Sequence, residues 1–545
     1  MDIQQMTYDV CRCYLHDRKA TLPTDLYNKI SGYLRSRDID RLAACSTLVC
    51  PTIEGRTMMQ TLMQVEAFFK KNVSFSDSGR CQQAAMSSFD RGELLCRITN
   101  RRLTWYALHP DRLDSDLQSY LSKMENDIPA ILGEYQDFLG IIPELVRVTS
   151  GATSTKSRRQ SMPHRRISAK PYASRRVTPY LQALSQYFGY GPLRVKVTST
   201  NRVELVPKNW RTDRTIACEP EGNMLFQLAF DAYIKRRLKR VGVNLSSQFK
   251  NQCLAKEGSE TGELATIDLS MASDTLALDC INLLLPVEWV RFLSDVRSSQ
   301  SRGIRELIYA KFSSMGNGCT FGLETLVFTA ACRAVGSRRY AVYGDDIVIE
   351  SYLVPRVVRL LRFLGFVPNE SKTHYAGPFR ESCGANWFHG VDITPTYIRS
   401  VDSRKATVCH LVNSLLTITG PGEELWEYLL DLTIEQELPW TPICEDTLAG
   451  IHVEMDVAKS EKLLVQNRAK HPWVYKAKAY VSVSYGKEIR DARAAFLWHL
   501  DAFQGRREPI IGDRRIFGLR IRAGDRSQPQ ISSVIVRSRY TISSH

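Results

Sequence analysis

Several familiar sequence features are missing from this chain of 545 residues. No apolar stretch approaches the roughly 20 residues that span a bilayer. The N-terminal MDIQQMTYDVCRC lacks the basic and then apolar run of a signal peptide. The 14 cysteines include no Cys-x-x-Cys pair, and there is no His-Glu-x-x-His. We therefore expect a cytosolic protein with reduced cysteines, no disulfide framework and no zinc site.

Acidic residues are absent between Glu144 and Glu204, and the whole chain has a net charge of +15. Such an excess favours a polyanionic partner, either nucleic acid or an anionic membrane surface. Within this segment, residues 151–178 mix Lys and Arg with Ser, Pro and Ala. This composition predicts an exposed, mobile loop that binds phosphates, with a solvated linker as the alternative. The C-terminal tail is also basic, and its alternation of Ile and Val with Arg predicts short strands with one wet face.

The central region has the pattern of a mixed α/β fold, and 43% hydrophobic residues allow a large core. ELATIDLS (263–270) predicts a buried strand, followed by a helix that Ser273 caps and that stops near Pro286. A second helix is predicted over 323–336 and a hairpin over 340–350. A third helix is predicted over 355–366, with Pro355 in its first turn and Gly365 at its end. This order is close to a split βαβ arrangement, an antiparallel sheet with helices on one face.

Two adjacent carboxylates, Asp345 and Asp346, stand at the tip of the predicted hairpin. Taken alone, Gly-Asp-Asp is an ordinary turn sequence. In the predicted sheet, however, Asp268 ends a neighbouring strand, and Asp274 follows it by six residues. A buried cluster of carboxylates repels itself unless it is protonated or neutralised, and Mg²⁺ is a natural neutraliser. Two such ions can hold the attacking and leaving oxygens of a phosphoryl transfer.

A set of motifs stands in order between about residues 207 and 385 and resembles a known family. They read VPKNWRTDRTIACEPEGN, RRLKRVGVNL, ATIDLSMASD, SSMGNGCTFGLE, YGDDI, GFVPNESKT and FRESCGA. Four of these motifs, which contain DLSMASD, SSMGNGCTFGLE, YGDD and NESKT, resemble the palm motifs of viral RNA-dependent RNA polymerases, and all seven resemble one group of these enzymes in wording and order. They are most similar to the replicases of small positive-strand RNA phages, the levivirus group that includes the Q-beta and MS2 replicases. The first 150 and last 130 residues match that group only by position and length.

The resemblance implies a catalytic site with two Mg²⁺ ions, for which Mn²⁺ can substitute. Asp268 and Asp345 would do most of the metal ligation, with Asp346 in support. Lys372, in NESKT, resembles a lysine that protonates the leaving pyrophosphate, although a lone lysine in a loop is normally a surface residue. Catalysis would then consist mainly of positioning and charge neutralisation.

The resemblance also implies a binding site for ribonucleoside triphosphates. Asp274 would bind the ribose 2′-hydroxyl, and a helix N-terminal carboxylate is the plainer interpretation of that residue. Gly316 belongs to a loop that lets backbone approach a nucleotide closely. The other residues expected to contact nucleotide are Ser314, Asn317 and Glu324 near the sugar, and Lys208, Arg211 and Arg214 at the triphosphate.

The implied architecture is a right-hand polymerase with fingers, palm and thumb. We expect residues 1–200 to form an N-terminal region and fingers, 201–400 the palm with inserted finger elements, and 401–545 the thumb and tail. The expected partners are a single-stranded RNA template, the product duplex, the host elongation factors Tu and Ts, and a small-subunit ribosomal protein. The resemblance further implies primer-independent initiation in the cytoplasm of an infected bacterium.

Two other functions fit parts of the sequence. A reverse transcriptase shares a palm and a Tyr-x-Asp-Asp tip, but it usually has a bulky aromatic residue at the position of Asp274. A non-catalytic RNA-binding protein would have the same charge. Such a protein has no use for convergent carboxylates at Asp268, Asp345 and Asp346.

Overall fold

The computed structural model describes residues 2–48, 55–148, 151–156, 171–189, 191–398, 404–443, 448–462, 464–466, 474–480 and 531–537. These residues form a mixed helical and sheet structure. The helices span Ile3–Asp17, Thr24–Arg35, Ile39–Leu42, Arg56–Lys70, Ser78–Leu108, Ser115–Leu132, Tyr135–Leu145, Thr178–Tyr187, Glu221–Arg240, Phe249–Thr261, Ala272–Thr275, Leu278–Leu284, Val287–Val296, Thr320–Ala334, Val354–Leu364, Arg404–Leu415, Glu424–Glu435 and Met455–Ser460.

The strands are mostly short and are distributed among several small sheets. They are β1 Tyr172–Ala173, β2 Lys196–Val197, β3 Thr200–Pro207, β4 Asp213–Cys218, β5 Leu264–Ile267, β6 Leu269–Ser270, β7 Gln300–Gly303, β8 Leu307–Ile308, β9 Ala341–Tyr343, β10 Asp346–Glu350, β11 Val367–Pro368, β12 Phe379–Ser382, β13 Ala385–Phe388, β14 Val391–Asp392, β15 Trp440–Pro442, β16 Ile451–Val453, β17 Leu464–Gln466, β18 Val474–Tyr480 and β19 Ile531–Arg537. None of the helices among the described residues is both long and apolar enough to cross a bilayer.

The central sheet has the order β5-β10-β9, and both pairings are antiparallel. On the other edge of β5, Thr266 forms an antiparallel bridge with His374. Just beyond Asp268, β6 pairs with β11. The segment 367–374 therefore borders the strand that leads into Asp268, while β10 borders it on the opposite side. The fully buried residues of β5 and β10 anchor this sheet in the protein interior.

Two large hydrophobic clusters hold the described residues together. The first packs the central sheet against helices from the long Ser78–Leu108 to Val354–Leu364. The second joins helices of the first 70 residues to residues between Ile398 and Ile451. The N-terminal helices thus share a core with a segment more than 300 residues away in sequence. The division into fingers, palm and thumb at residues 200 and 400 stays a prediction.

Three of the predicted central elements are confirmed. The second helix runs from Thr320 to Ala334, and Gly336 follows it with φ +91°. The hairpin of β9 and β10 turns at Gly344, with φ +60°. The third helix, Val354–Leu364, ends at Gly365 with φ +103°. Glycine suits such C-cap positions because it has no Cβ to clash in the left-handed region.

The prediction of one helix capped by Ser273 was wrong. Two short helices, Ala272–Thr275 and Leu278–Leu284, take its place, and the N-cap residue of the first is Met271. The break lies at Leu276 and Ala277, where the backbone pairs with a neighbouring segment: Phe312 N donates to Leu276 O at 2.7 Å, and Ala277 bridges Lys311. Tertiary hydrogen bonds therefore override the helical pattern at this point.

The basic segments lie largely outside the described residues. Of the predicted loop 151–178, residues 157–170 are not described, and Arg176 beyond them lies near Asp295, with 3.4 Å between their charged atoms. In the C-terminal tail, β19 confirms one predicted strand. The cysteines that the structure describes are free, and the predicted burial is confirmed for most of them.

Candidate active site

Asp268 lies exactly where the central strand is interrupted, between β5 and β6. Its backbone and side chain both bind the turn at 369–372. Asn369 N donates to Asp268 O at 2.9 Å, and Asn369 Nδ2 donates to Asp268 Oδ2 at 2.8 Å. Lys372 Nζ lies 3.7 Å from Asp268 Oδ1. The predicted metal ligand and the predicted general acid are therefore neighbours.

Asp345 and Asp346 lie at the hairpin tip beside Asp268. Because Ile347 pairs with Ile267 in antiparallel register, the next residues outward are Asp346 and Asp268. Burial raises the pKa of Asp345, and the charge of Asp268 adds to the rise. Burial also raises the pKa of Asp346 to about 6, with Asp345 and Asp268 contributing. The structure thus brings the three predicted ligands into one electrostatically coupled group.

Gly344 allows this hairpin tip to approach the helix Thr320–Ala334. A Cβ atom at Gly344 would lie 2.6 Å from the ring of Phe321. The Gly344 amide donates to Thr325 Oγ1 at 3.2 Å. The helix that carries Glu324 therefore supports the turn that carries Asp345.

Three cations face the carboxylates. Burial lowers the pKa of Lys208, and the charges of Arg214 and Lys372 lower it further, whereas Asp268 and Asp345 oppose the decrease. Lys208 directly follows β3 in the turn of the β3–β4 hairpin, and Arg214 lies on β4. Lys372 comes from the opposite side, after β11. Two separate elements thus supply positive charge to one anionic site.

Arg211 is the exception among the predicted triphosphate ligands. Its guanidinium lies 3.4 Å from Asp40 and over the ring of Trp210, and 63% of its side chain is exposed. It is not among the charges that act on Lys208 or Asp345. The structure does not bring Arg211 together with the other predicted site residues.

The carboxylates have the chemistry of a magnesium site. Mg²⁺ prefers carboxylate oxygens, and a divalent cation would relieve the repulsion that raises the pKa of Asp345 and Asp346. Glu324 Oε1 is buried without a hydrogen-bond partner. As they stand, no three Asp, Glu, His or Cys side chains among the described residues are close enough to hold a metal ion. In the present arrangement Asp268 instead binds Asn369 and lies near Lys372.

Asp274 lies in the short helix Ala272–Thr275 and contacts a buried lysine. Lys311 Nζ lies 2.8 Å from Asp274 Oδ1 and 3.6 Å from Glu93 Oε1. The side chain of Lys311 is fully buried, whereas that of Asp274 is 15% exposed. The predicted ribose ligand is therefore part of a buried ionic cluster.

The SSMGNG loop leads into the helix Thr320–Ala334. Asn317 N donates to Ser314 O at 3.0 Å, and Asn317 Oδ1 accepts from the Cys319 amide at 2.8 Å. Gly316 has φ +106°. Glu324 lies one turn into the helix, where burial raises its pKa well above the usual range, and the charges of Asp345 and Asp274 add to the rise. Glu324 thus lies within electrostatic reach of both aspartates.

The sequence did not single out several residues that complete this region. Asn369 lies within the quoted motif GFVPNESKT, so its position beside Lys372 was a usable signal. Gln227 Oε1 accepts from the Gly318 amide at 2.9 Å. Lys311 and Glu93 hold Asp274, and they lie 218 positions apart in the numbering of the sequence. No local pattern connects residues at that separation.

Comparison with known proteins places the chain in a family. The family model for the RNA replicase, beta-chain, matches residues 58–420. The chain belongs to this family. The matched range includes the candidate site and the long helix Ser78–Leu108.

Individual relatives are bacteriophage proteins. The RNA-directed RNA polymerase subunit beta of Enterobacteria phage SP is 38% identical over 358 residues, which cover 64% of this chain and 62% of the relative. That of Escherichia virus Qbeta is 36% identical over 342 residues, covering 61% and 58%. The RNA-directed RNA polymerase beta chain of Escherichia phage MS2 is 35% identical over 319 residues, covering 57% and 58%. The matches thus span about three-fifths of the length of these relatives.

Proposed function

We propose that this chain catalyses RNA-templated RNA synthesis, in which ribonucleoside triphosphates extend an RNA strand and pyrophosphate is released. The observation that carries the proposal is the coupled group of Asp268, Asp345 and Asp346 at the ends of adjacent antiparallel strands. Membership in the replicase beta-chain family supports it. A protein that only binds RNA needs positive charge, and a cluster of carboxylates would weaken that binding.

In this proposal the central sheet is the palm of a right-hand polymerase. The order of segment 367–374, β5, β10 and β9, with all neighbours antiparallel, fits a split βαβ palm. The hairpin of β3 and β4 brings Lys208 and Arg214 to the same site. It would therefore belong to the fingers that cover the nucleotide.

Each side chain has a distinct task in the proposed reaction. Asp268, Asp345 and Asp346 would hold two Mg²⁺ ions, or Mn²⁺ in their place. When bound, these ions would neutralise phosphate charge and favour ionisation of the 3′-hydroxyl of the growing strand. Lys208 and Arg214 would bind the triphosphate.

The remaining residues would select the sugar and assist the leaving group. Asp274 would form a hydrogen bond with the 2′-hydroxyl of a ribonucleotide, assisted by Ser314, Asn317 and Glu324. A deoxynucleotide would leave these buried polar groups unpaired, which disfavours it. Lys372, beside Asp268, would donate a proton to the departing pyrophosphate.

The setting of the reaction follows from the family. The relatives of phages SP and Qbeta are named subunit beta, and we propose that this chain also works within a larger complex. The elongation factors Tu and Ts and a small-subunit ribosomal protein of the host are the proposed partners. Synthesis would start without a primer on single-stranded RNA in the cytoplasm of an infected bacterium.

The test is RNA-templated synthesis in a DNA-free bacterial extract that contains the full chain. The extract supplies host proteins whose absence would silence a true replicase. Labelled ribonucleotides and labelled deoxynucleotides are offered in parallel on the same RNA template. We expect template-length RNA. DNA as the product would support a reverse transcriptase, and RNA binding without any product would support a non-catalytic binding protein.

A further inference from the structure

Lys311 is a lysine whose side chain has no exposure to solvent. Its ammonium lies between two carboxylates, 2.8 Å from Asp274 Oδ1 and 3.6 Å from Glu93 Oε1. It also lies 3.7 Å from the ring centre of Phe89, a cation–π contact. A lysine is almost never fully buried unless it is paired, because desolvation of the ammonium is costly. A hydrophobic residue could fill the same space, so the charge itself needs an explanation.

The long helix Ser78–Leu108 holds this ionic cluster against Asp274. Gly92 makes the close approach possible, because a Cβ atom there would lie 2.9 Å from Asp274 O and 3.1 Å from Asp274 Cβ. One turn later, Cys96 Sγ donates to Asp274 O at 3.4 Å. Glu93 Oε2 accepts from the Ala310 amide at 2.8 Å, which fixes the segment that carries Lys311. Backbone and side chain of Asp274 are thus held by separate contacts.

The two oxygens of Asp274 have different environments. Oδ1 accepts a hydrogen bond from Lys311. For Oδ2 no donor is found among the described residues, and the side chain retains 15% exposure. Burial raises the pKa of Glu324, and the negative charges of Asp345 and Asp274 both raise it further. Lys311 therefore holds one oxygen of Asp274, and the other oxygen is left without a donor among the described residues.

We propose that Lys311, anchored by Glu93, is the positioning residue that fixes Asp274 for recognition of the ribose 2′-hydroxyl. The proposal rests on the proposed polymerase function. Lys311 touches neither nucleotide nor metal ligand. It acts by binding Oδ1, so that Oδ2 meets the sugar in one orientation. Loss of the ammonium frees the carboxylate to rotate, and the advantage of ribonucleotides over deoxynucleotides decreases.

The experiment measures incorporation of one ribonucleotide and of its deoxy analogue by the complete replicase, and takes the ratio of the two kcat/KM values. Lys311→Met should lower this ratio by about tenfold or more, mainly through a higher KM for the ribonucleotide. Asp274→Asn should lower it as well. In the Asp274→Asn background, addition of Lys311→Met should change the ratio little, because the residue through which Lys311 acts is already altered.

Two further variants separate this role from a contribution to folding. Lys311→Met leaves two carboxylates without their cation, so it is repeated with Glu93→Gln, which keeps the buried net charge and the acceptor for the Ala310 amide. This balanced pair should reproduce the loss of selectivity. Lys235→Met is the control, since Lys235 pairs with the buried Asp231 at 2.7 Å, and the contacts of Asp274 among the described residues include neither of them. It should leave the ratio unchanged.

The outcomes distinguish this inference from the function on which it rests. If the wild-type replicase incorporates no nucleotide on RNA, the proposed function and the inference both fail. If the wild type selects ribonucleotides and the balanced pair retains the wild-type ratio, only the role of Lys311 is wrong. The role of Lys311 would also be refuted if the effects of Lys311→Met and Asp274→Asn on the kcat/KM ratio simply multiply when the two substitutions are combined.

Discussion

Gly316 is the residue at which the backbone of the candidate site is most constrained. It has φ +106°, and a Cβ atom there would lie 2.5 Å from the carbonyl oxygen of Ala217. Ala217 cannot easily move away, because its amide donates to Met315 O at 2.8 Å. The backbone of Gly318 does not adopt the left-handed conformation. A Cβ at Gly318 would meet side-chain atoms at 3.0 Å or more.

Gly316→Ala should therefore be harmful. We expect it to lower the free energy of unfolding by about 1–3 kcal/mol, from backbone strain and the clash with Ala217, and to reduce RNA synthesis. Urea unfolding and nucleotide incorporation measure the two effects. Gly318→Ala is the matched control and should be milder in both. Equal behaviour of the two variants would refute the assignment of strain to Gly316.

Glu219 is a buried carboxyl outside the candidate site. Ser298 Oγ donates to its Oε2 at 2.7 Å, and Asn201 Nδ2 donates to its Oε1 at 3.1 Å. Burial raises the pKa of Glu219, and these hydrogen bonds offset the rise only in part. Because the folded-state pKa is above the unfolded value, the protonated form favours folding. Its contribution to stability is complete below the unfolded pKa and is lost as pH rises through the folded pKa.

Glu219→Gln should accordingly flatten the pH dependence of stability. The midpoint of thermal unfolding should fall less between pH 5 and pH 8 in this variant than in the wild type. Glu350→Gln serves as control. Burial raises the pKa of Glu350, but hydrogen bonds from Ser337 and from backbone amides outweigh that effect and lower it. A carboxyl with a lowered pKa does not titrate between pH 5 and pH 8, so Glu350→Gln should change the midpoint of thermal unfolding by the same amount at both pH values. A wild-type profile for Glu219→Gln would contradict the argument.

At the residue scale, sequence motifs located most of the site. Asp268, Asp345, Asp346, Lys208, Arg214 and Lys372 all belong to quoted motifs, and the structure gathers them. Arg211 lies in the same motif as Lys208, yet its side chain turns to Asp40. Lys311 was not predicted, because a lysine two residues before SSMGNG has no local pattern that indicates burial. Its role depends on Glu93, in a distant helix.

At the scale of elements, Arg380 fastens the β12–β13 hairpin to the central sheet. It is fully buried. Its guanidinium donates to Leu264 O at 2.6 Å, to Gly377 O at 2.8 Å and to Phe379 O at 2.7 Å. Burial lowers the pKa of Arg380 to about 10. Leu264 begins β5, the strand that leads to Asp268, so this arginine ties the hairpin to the site.

Arg380→Lys should loosen the hairpin although it retains the positive charge. An ammonium cannot reproduce the planar fork of donors, so buried carbonyl groups lose partners, at about 1–3 kcal/mol each. Hydrogen exchange in β12, β13 and β5 should become faster. Arg356→Lys, on the exposed face of the helix Val354–Leu364, should leave exchange there unchanged. Unaltered protection in Arg380→Lys would exclude this role.

Element prediction from the sequence succeeded where local signals were strong. The helices at 320–334 and 354–364 have apolar periodicity and a glycine at the end, and the hairpin has its Gly-Asp turn. The prediction failed between Ala272 and Leu284. There the backbone of Leu276 and Ala277 pairs with residues 310–312, and a single-sequence pattern does not contain that tertiary contact.

At the scale of the whole molecule, the first helix caps a helix that begins 407 positions later in the chain. Asp17 accepts from the amides of Glu424 at 2.8 Å and Leu425 at 3.0 Å. Arg18 donates to Glu423 through its two terminal guanidinium nitrogens, with one contact at 2.5 Å and the other at 3.3 Å. The helix Glu424–Glu435 begins at this junction. The N-terminal helices therefore stabilise a segment that the sequence assigned to another lobe.

Asp17→Ala should destabilise this junction by about 1 kcal/mol, the usual cost of a lost N-cap. Its effect should appear in the distant helix, as faster proteolysis within residues 424–435. Asp25→Ala, at an exposed position of the helix Thr24–Arg35, is the control and should not change cleavage there. If the two variants are cleaved alike, Asp17 does not support the distant helix.

The sequence supplied the family and the candidate site but not the long-range arrangement of the chain. Motif order between about residues 207 and 385 identified the replicase group. The pairing of Arg18 with Glu423 spans 405 positions. Neither apolar periodicity nor net charge indicates which distant residues pair with each other. Contacts between elements that are distant in sequence depend on the complementarity of their surfaces in the folded protein.

The most direct test of the central claim is nucleotide addition to an annealed RNA template and primer by the complete replicase, with wild type compared to Asp345→Asn. This substitution keeps the size of the side chain and removes the charge that a metal ion would need. Asp111→Asn is the matched control, because Asp111 is exposed and its one ion pair within the part of the chain that the structure describes is with the adjacent Arg112. RNA binding is measured on the same samples.

We predict that Asp345→Asn loses nucleotide addition while it still binds RNA, and that Asp111→Asn behaves as the wild type. That result would make the carboxylates of the hairpin tip essential for the chemistry rather than for RNA binding. Wild-type addition by Asp345→Asn would contradict the account, because the proposed site could not then be the place where the phosphodiester bond forms.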